Sequence, residues 1–265
     1  VKRPPYPFAP RGERSIALAY LKAFRRARAL VYLEDQYFWS ETAARALADA
    51  LRANSGLRVI TVVPRYPDED DAVSGRAANA GRERAMDIVR DAGGERVLVC
   101  DLENLDGTPI YAHAKVCIID DVWMTVGSDN INRRSWTHDS ELSCAVVDTT
   151  FDPRAPTDPA GLGDGARVLA RDTRLRLWRE HLGRDEGDDA DLVDPVQGFE
   201  AFRDAARALD RWVDGGRTGA RPPGHARPHT PERVGAQHRW WARRVHHAFL
   251  DPDGRPRELR RRDAY

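Results

Sequence analysis

The sequence predicts an α/β fold, a mixed β-sheet flanked by helices on both faces, continued by a helical C-terminal tail. Strand-like apolar runs alternate with helical patterns through the first hundred residues, as in an α/β sandwich. Strand patterns then follow one another directly between 110 and 147, so the sheet must mix strand directions. Beyond Asp148 the pattern turns to helices separated by loops rich in Pro and Gly.

The opening VKRPPYPFAPRG carries four prolines, so residues 1–14 read as a linker or arm. Ser15 can cap a helix whose apolar positions are Ile16, Leu18, Ala19, Leu21, Ala23 and Phe24. ALVYLEDQYF gives a short buried strand, followed by a helix over 41–53. SGLRVITVVP is a second strand, with Gly56 as turn and Pro64 as stop. A helix over 75–92 ends at Gly93-Gly94, and RVLVCDL is a third strand. Strands over 110–119, 122–127 and 141–147 follow, the first two joined by a tight turn at Asp120-Asp121. Helical patterns over 166–182, 196–213 and 231–250 are separated by DPRAPTDPAGLGDG and GGRTGARPPGHARPHTPE. A domain over 15–183 and a helical, loop-rich tail over 184–265 are the resulting division.

The chain has 265 residues, 41% apolar and 32% charged, enough for a real core. A formal net charge of zero argues against a nucleic-acid binder held by bulk charge. No apolar run approaches the roughly 18–20 residues that span a bilayer. Basic residues cluster locally, eight against one acidic over 1–30 and twelve against five over 217–265. Such runs read as a solvated Arg-rich surface or as a basic rim facing an anionic surface such as phospholipid head groups. Cys100, Cys117 and Cys144 sit in apolar strand-like runs without ligand spacing and read as small buried hydrophobes. An odd number of cysteines fits a reducing compartment, and no signal-peptide shape opens the chain at Val1. The expectation is a cytoplasmic or peripheral-membrane location.

The stretch YAHAKVCIIDDVWMTVGSDN holds the densest chemistry. In an extended strand His113 and Lys115 point to one face, while Ala112, Ala114, Val116 and Ile118 point to the other. An imidazole and an ammonium side by side suit an anionic group above both. Gly127-Ser128 then allows close backbone approach and offers a hydroxyl, and Asn130 adds an amide. Composition alone yields H-x-K-x-x-x-x-D in about one chain of this kind in a hundred. Only three of the 42 basic residues are lysines, so a lysine at 115 is a choice of compact ammonium over planar guanidinium.

HAKVCIID followed by GSDNINRRS and HDSELSCAVVD resembles the second catalytic motif of the phospholipase D superfamily, H-x-K-x-x-x-x-D with G-S-x-N downstream. SIALAYLKAFRRARALVYLEDQYFWS, LRVITVVPRYPD and TRLRLWREHLG are similar to segments of the C-terminal half of phosphatidylcholine-cleaving members, so the likeness covers about 14–183. That resemblance implies a phospholipase D-like mixed sheet and a phosphodiesterase acting without metal or cofactor. It implies that one histidine attacks phosphorus to give a phosphohistidine while a second protonates the leaving alcohol, and that two motifs pair to make one site. Matched residue by residue, it implies His113 as general acid, Lys115 and Asn130 as phosphate binders and Ser128 as supporting hydroxyl. Glu141 matches the acidic residue that hydrogen-bonds the histidine. Asp120 completes the motif and, at the strand end, reads as more structural than chemical. Gln36 and Tyr37, in EDQYF, are candidates for the substrate pocket.

The chain departs from the two-motif pattern, because none of its other seven histidines is followed by lysine two positions on. Two copies of the chain pairing as a homodimer, or pairing with an N-terminal half, would restore a second motif. The Pro-rich opening and the non-Met first residue lead us to expect the latter. His246-His247 reads as tail packing or surface. The expected substrate is a glycerophospholipid, hydrolysed or transphosphatidylated at a membrane surface. Alternatives are a single-motif homodimeric nuclease, disfavoured by the neutral charge, and a silent half acting as a dimerisation or lipid-surface module.

Overall fold

A computed structural model of the chain describes residues 7, 9, 12–67, 72–262 and 264–265. The arm expected over 1–14 lies mostly outside the described residues. In chain order the elements are α1 (Ser15–Arg26), β1 (Leu30–Asp35), α2 (Glu41–Ala53), β2 (Arg58–Val62), α3 (Ala72–Gly93), β3 (Val97–Glu103), β4 (Pro109–Ile110) and β5 (Lys115–Ile119). There follow β6 (Trp123–Gly127), α4 (Arg133–Thr137), β7 (Ser143–Val146), α5 (Val168–Leu182), α6 (Pro195–Asp214), β8 (Ala226–Pro228), α7 (Ala236–Val245), a π-helical turn (His246–Leu250) and α8 (Arg257–Arg261).

The strands form one sheet in the order β4-β3-β2-β1-β5-β6-β7, with β8 also on β3. β1, β2 and β3 are parallel, the product of strand–helix–strand crossovers; β5, β6 and β7 run antiparallel as a meander. Period-two alternation divides the sheet's side chains between two cores. Val31, Leu33, Val59, Cys117 and Ile119 face α1, α2 and α3, while Leu30, Tyr32, Ile60, Ile118 and Met124 face α5 and α6. The expected mixed sheet with helices on both faces is thus the observed architecture.

Local sequence explains the helices. In α2, Ala43, Ala44, Leu47, Ala48 and Leu51 repeat at three- and four-residue steps and are buried, and the Ser40 hydroxyl accepts from the Ala43 N–H at 3.1 Å. Asp194 caps α6 by accepting from Val196 and Gln197, with Pro195 at the first helical position. The Asp120-Asp121 turn is also as expected. Both residues have positive φ, 54° and 57°, and the Val122 N–H reaches the Ile119 carbonyl at 2.9 Å, a type I′ hairpin turn.

Four expectations need correction. Ser15, expected to cap the first helix, is the first residue of α1, behind Arg14, and no side-chain cap bond forms. The strand expected over 110–119 is two strands, because Pro109–Ile110 pairs with β3 whereas Lys115 pairs with Asp35 of β1. Those partners are two strand spacings apart, about 10 Å, so residues 111–114 must cross the sheet edge instead of pleating. Cys100 and Cys117 are buried, but Cys144 is exposed, since it lies on the terminal strand β7 of the sheet. The tail over 184–265 is built into the sheet. α6 places Phe199 and Phe202 in the second core, and β8 pairs with β3. No described helix is long and apolar enough to cross a membrane.

Candidate active site

The carboxyl end of β1 organises the site. Register sets Asp35 opposite Lys115, on the face of α1 to α3. Asp35 is buried, and its Oδ1 accepts the N–H groups of Tyr37 at 2.9 Å and Phe38 at 2.5 Å, while Oδ2 accepts that of Ile131 at 2.7 Å. One carboxylate therefore fastens the loop after β1 to the loop after β6. Phe38 sits in the left-handed region at φ 48°, a conformation held by that bond and by full burial of its ring. Burial pushes the Asp35 pKa up, against the pull of the three amides and of Lys115.

Lys115 is buried, and its Nζ donates to Gln36 Oε1 at 3.0 Å and to the His113 carbonyl at 3.3 Å. Burial lowers its pKa, while Asp35, Glu141 and Asp129 oppose that shift. Gln36 also donates to the Tyr111 hydroxyl at 2.7 Å, and the Tyr111 ring stacks on that of His113 with centroids 6.3 Å apart. His113 is exposed and lies on the crossover segment, not on the strand. Lys115 curls back to the His113 carbonyl, and the two residues are not successive same-face pleats of one ribbon as expected.

The loop after β6 supplies the other half. Gly127 is required, because a Cβ there would stand 2.1 Å from Ser143 Oγ and 2.8 Å from the Leu142 carbonyl. Ser128 Oγ donates to Glu141 Oε2 at 2.5 Å and accepts the Leu142 N–H at 3.1 Å. Glu141, expected to bond the histidine, is engaged with Ser128 here. Asn130 is buried with its Oδ1 unpartnered, and its backbone N–H donates to Ser135 Oγ at 3.2 Å. Asn130 and Glu141 join Tyr37, Trp39, Asn132 and Arg134 in lining a cavity of about 190 Å³.

Asp120 does not belong with these groups. Its Oδ2 accepts the Arg28 N–H at 2.9 Å and its Oδ1 those of Ala29 and Leu30, each at 2.8 Å, clamping the start of β1. It closes the far end of β5, roughly 17 Å of strand from Lys115, so its inclusion among the catalytic residues is corrected to scaffold.

Sequence reasoning missed Asp35 and Asp129. Asp129 is buried, one oxygen taking the Ser143 hydroxyl and Oδ2 left without a direct hydrogen bond among the described residues. Burial, reinforced by Asp35 and Glu141, raises its pKa to about 7. Its place in the variable slot of G-S-x-N is the only sign the sequence offers. Chemically, the Lys115 ammonium can hold an anion and the accessible His113 imidazole can carry a proton. Among the described residues no cluster of three or more His, Cys, Asp or Glu is placed to hold a metal ion.

The family described as "Cardiolipin synthase, PLD-like domain" matches residues 20–153, and that described as "Phospholipase D" matches 101–214. Phospholipase D zeta 1 of Arabidopsis thaliana is 29% identical over 69% of this chain and 20% of its own length. Phospholipase D1 of Homo sapiens is 28% identical over 69% and 20%, and phospholipase D A of Dictyostelium discoideum 31% over 64% and 16%. The chain therefore spans about a fifth of the length of these curated relatives. Among solved structures, Nuc from Salmonella typhimurium, a phospholipase D family member, aligns with a TM-score of 0.41 and 21% identity, over 62% of this chain and 84% of that one. Phosphatidylserine synthase of Haemophilus influenzae aligns with a TM-score of 0.44 and 17% identity, over 77% and 43%.

Proposed function

The chain belongs to the phospholipase D superfamily, and on that premise we propose that it is a phosphodiesterase of glycerophospholipids that contributes one of the two histidines of a complete site. The observation that carries the reading is an exposed histidine, His113, whose main-chain carbonyl accepts from the buried Lys115 ammonium.

The substrate phosphodiester sits with its non-bridging oxygens on Lys115 Nζ and the Asn130 side-chain amide, which oppose the charge developing on phosphorus. A histidine from outside the motif of this chain attacks phosphorus, forming a P–N bond as the bond to the leaving alcohol breaks. His113 gives its proton to that alcohol oxygen. Water then attacks the phosphohistidine, His113 takes the water proton, and the P–N bond breaks to release phosphatidate. An alcohol in place of water gives transphosphatidylation by the same steps. The second imidazole comes from another copy of the chain or from a preceding half of a longer polypeptide. Tyr37 and Gln36 border the substrate, and Glu141 moves from Ser128 to His113 when the site is filled.

The test is turnover of a fluorescent phosphatidylcholine in vesicles, beside nicking of supercoiled DNA, for the chain and for His113→Ala. Lipid turnover lost in the variant supports the reading. DNA nicking lost in the variant would replace it with a nuclease, and neither activity, for the self-associated chain and for the chain mixed with a partner half carrying a second H-x-K-x-x-x-x-D, would mean a silent half.

A further inference from the structure

The tail carries a surface that the chemistry above does not use. From Arg233 to Leu250 there are four arginines and no acidic residue. Within that stretch Trp240 is 67% and Phe249 73% exposed, although each is a large aromatic side chain. The Arg244 guanidinium lies 4.2 Å over the Trp240 ring, joining a cation to the exposed indole. Arg233, Arg239 and Arg243 are drawn instead to Glu83, Glu83 and Glu41, at 3.2, 3.7 and 3.3 Å, so they help to hold the stretch down.

The mounting of this stretch is firm and leads to the candidate site. Ala242 and His246 are buried, and the His246 ring fills the space over Gly81, where a Cβ would stand 2.2 Å from it. Its other neighbour is Trp39, at 5.3 Å between centroids. Arg133 donates to the Asp251 carbonyl at 2.5 Å, and the Arg134 N–H reaches Asp251 Oδ1 at 2.8 Å, so the end of the π-helical turn is tied to α4 beside the G-S-x-N loop. Leu250 lines the same cavity as Asn130 and Glu141.

We propose that α7 and the π-helical turn form an interfacial element that seats the active site on an anionic lipid surface, with Trp240 and Phe249 entering the headgroup boundary and Arg244 meeting lipid phosphates. The inference deepens the phospholipid reading above and rests on it. An apolar aromatic with an adjacent arginine is the chemistry of the bilayer interface, where the ring is partly desolvated and the cation stays among phosphates. Arg244, held over the Trp240 ring while the other three arginines face Glu83 and Glu41, supplies the positive charge that complements an anionic leaflet. Because His246, Leu250 and Asp251 are packed against site-forming residues, insertion would fix the cavity's orientation to the membrane.

The experiment is co-sedimentation of the 265-residue chain with sucrose-loaded vesicles of phosphatidylcholine, with and without phosphatidylglycerol. The double variant Trp240→Ala/Phe249→Ala is expected to bind both kinds at least about tenfold more weakly. Arg244→Ala should weaken binding chiefly to the anionic vesicles, and Val147→Ala/Phe151→Ala, which alters other exposed apolar residues, should bind as wild type. Unchanged circular dichroism and melting midpoint establish that the variants fold. Absence of wild-type binding, or equal binding by the double variant, overturns the proposal. So does loss of self-association alone on lipid-free size exclusion, which would make the face a protein contact. Binding is read without turnover, so a chain that binds vesicles but hydrolyses nothing, alone or mixed with a partner half carrying a second H-x-K-x-x-x-x-D, sinks the catalytic reading only. One that hydrolyses monomeric short-chain phosphatidylcholine but ignores vesicles sinks only the interfacial element.

Discussion

Two buried aspartates stand at opposite ends of the β5–β6 hairpin, and their surroundings differ in kind. Asp120 commits both oxygens to three backbone N–H groups at the start of β1. Asp129 has the Ser143 hydroxyl on one oxygen and no direct hydrogen bond on the other among the described residues, with the Tyr20 hydroxyl, Asp35 and Glu141 near it. Burial raises the pKa of both. A carboxylate answered by main-chain amides is scaffold; one left under-partnered beside Lys115 keeps its end of the hairpin electrostatically tense. Membership in a motif does not distinguish the two, but the hydrogen-bond inventory does.

That contrast can be broken most sharply at His113. His113→Ala should lower lipid turnover by about 10³-fold or more, equivalent to about 4 kcal/mol, with stability changed by less than about 0.5 kcal/mol because the ring is exposed. Turnover kinetics beside urea unfolding would check both halves.

Next comes the pH dependence set by Asp129. Its folded pKa of about 7 lies above the unfolded value near 3.8, so the folded state binds the proton more tightly. The resulting stability is present at low pH and is lost as pH rises towards 7, by at most about 4 kcal/mol. Asp129→Asn should flatten that fall in urea midpoints measured between pH 4 and pH 7. A slope equal to wild type would show that the carboxyl is ordinary.

Asp120→Ala should leave three amides at the start of β1 without their acceptor and cost about 3 kcal/mol of stability. Activity per folded molecule should not change, the opposite of His113→Ala. The smallest effect is expected at Glu141. Glu141→Gln keeps a partner for Ser128 but weakens support of a protonated His113, for a loss of about tenfold in kcat with little change in stability.

Much of the scaffold was readable in the chain because its signals are local. Asp120-Asp121 announces its own turn, and the apolar repeat of the first helix is read from its own residues, although its cap is not. What stayed hidden depends on distant partners. The break in the strand over 110–119 arises because one part pairs with β3 and the other with β1. β8 is three residues containing a proline, with no periodicity to detect. In the candidate site, His113, Lys115 and Asn130 stand out by spacing and residue type. Asp35 was not, since its role is to join the N–H of Ile131, 96 positions away, to its own loop. Asp129 owes its character to Ser143, Asp35 and Glu141, none of them its sequence neighbours.

The central claim, that His113 and Lys115 grip one phosphoester together, is tested most directly by imidazole NMR of the chain titrated with vanadate as a phosphate mimic. The account predicts a saturable shift of the His113 ring resonance that disappears in Lys115→Met. A ring resonance indifferent to vanadate, or a shift that survives loss of the ammonium, would contradict it.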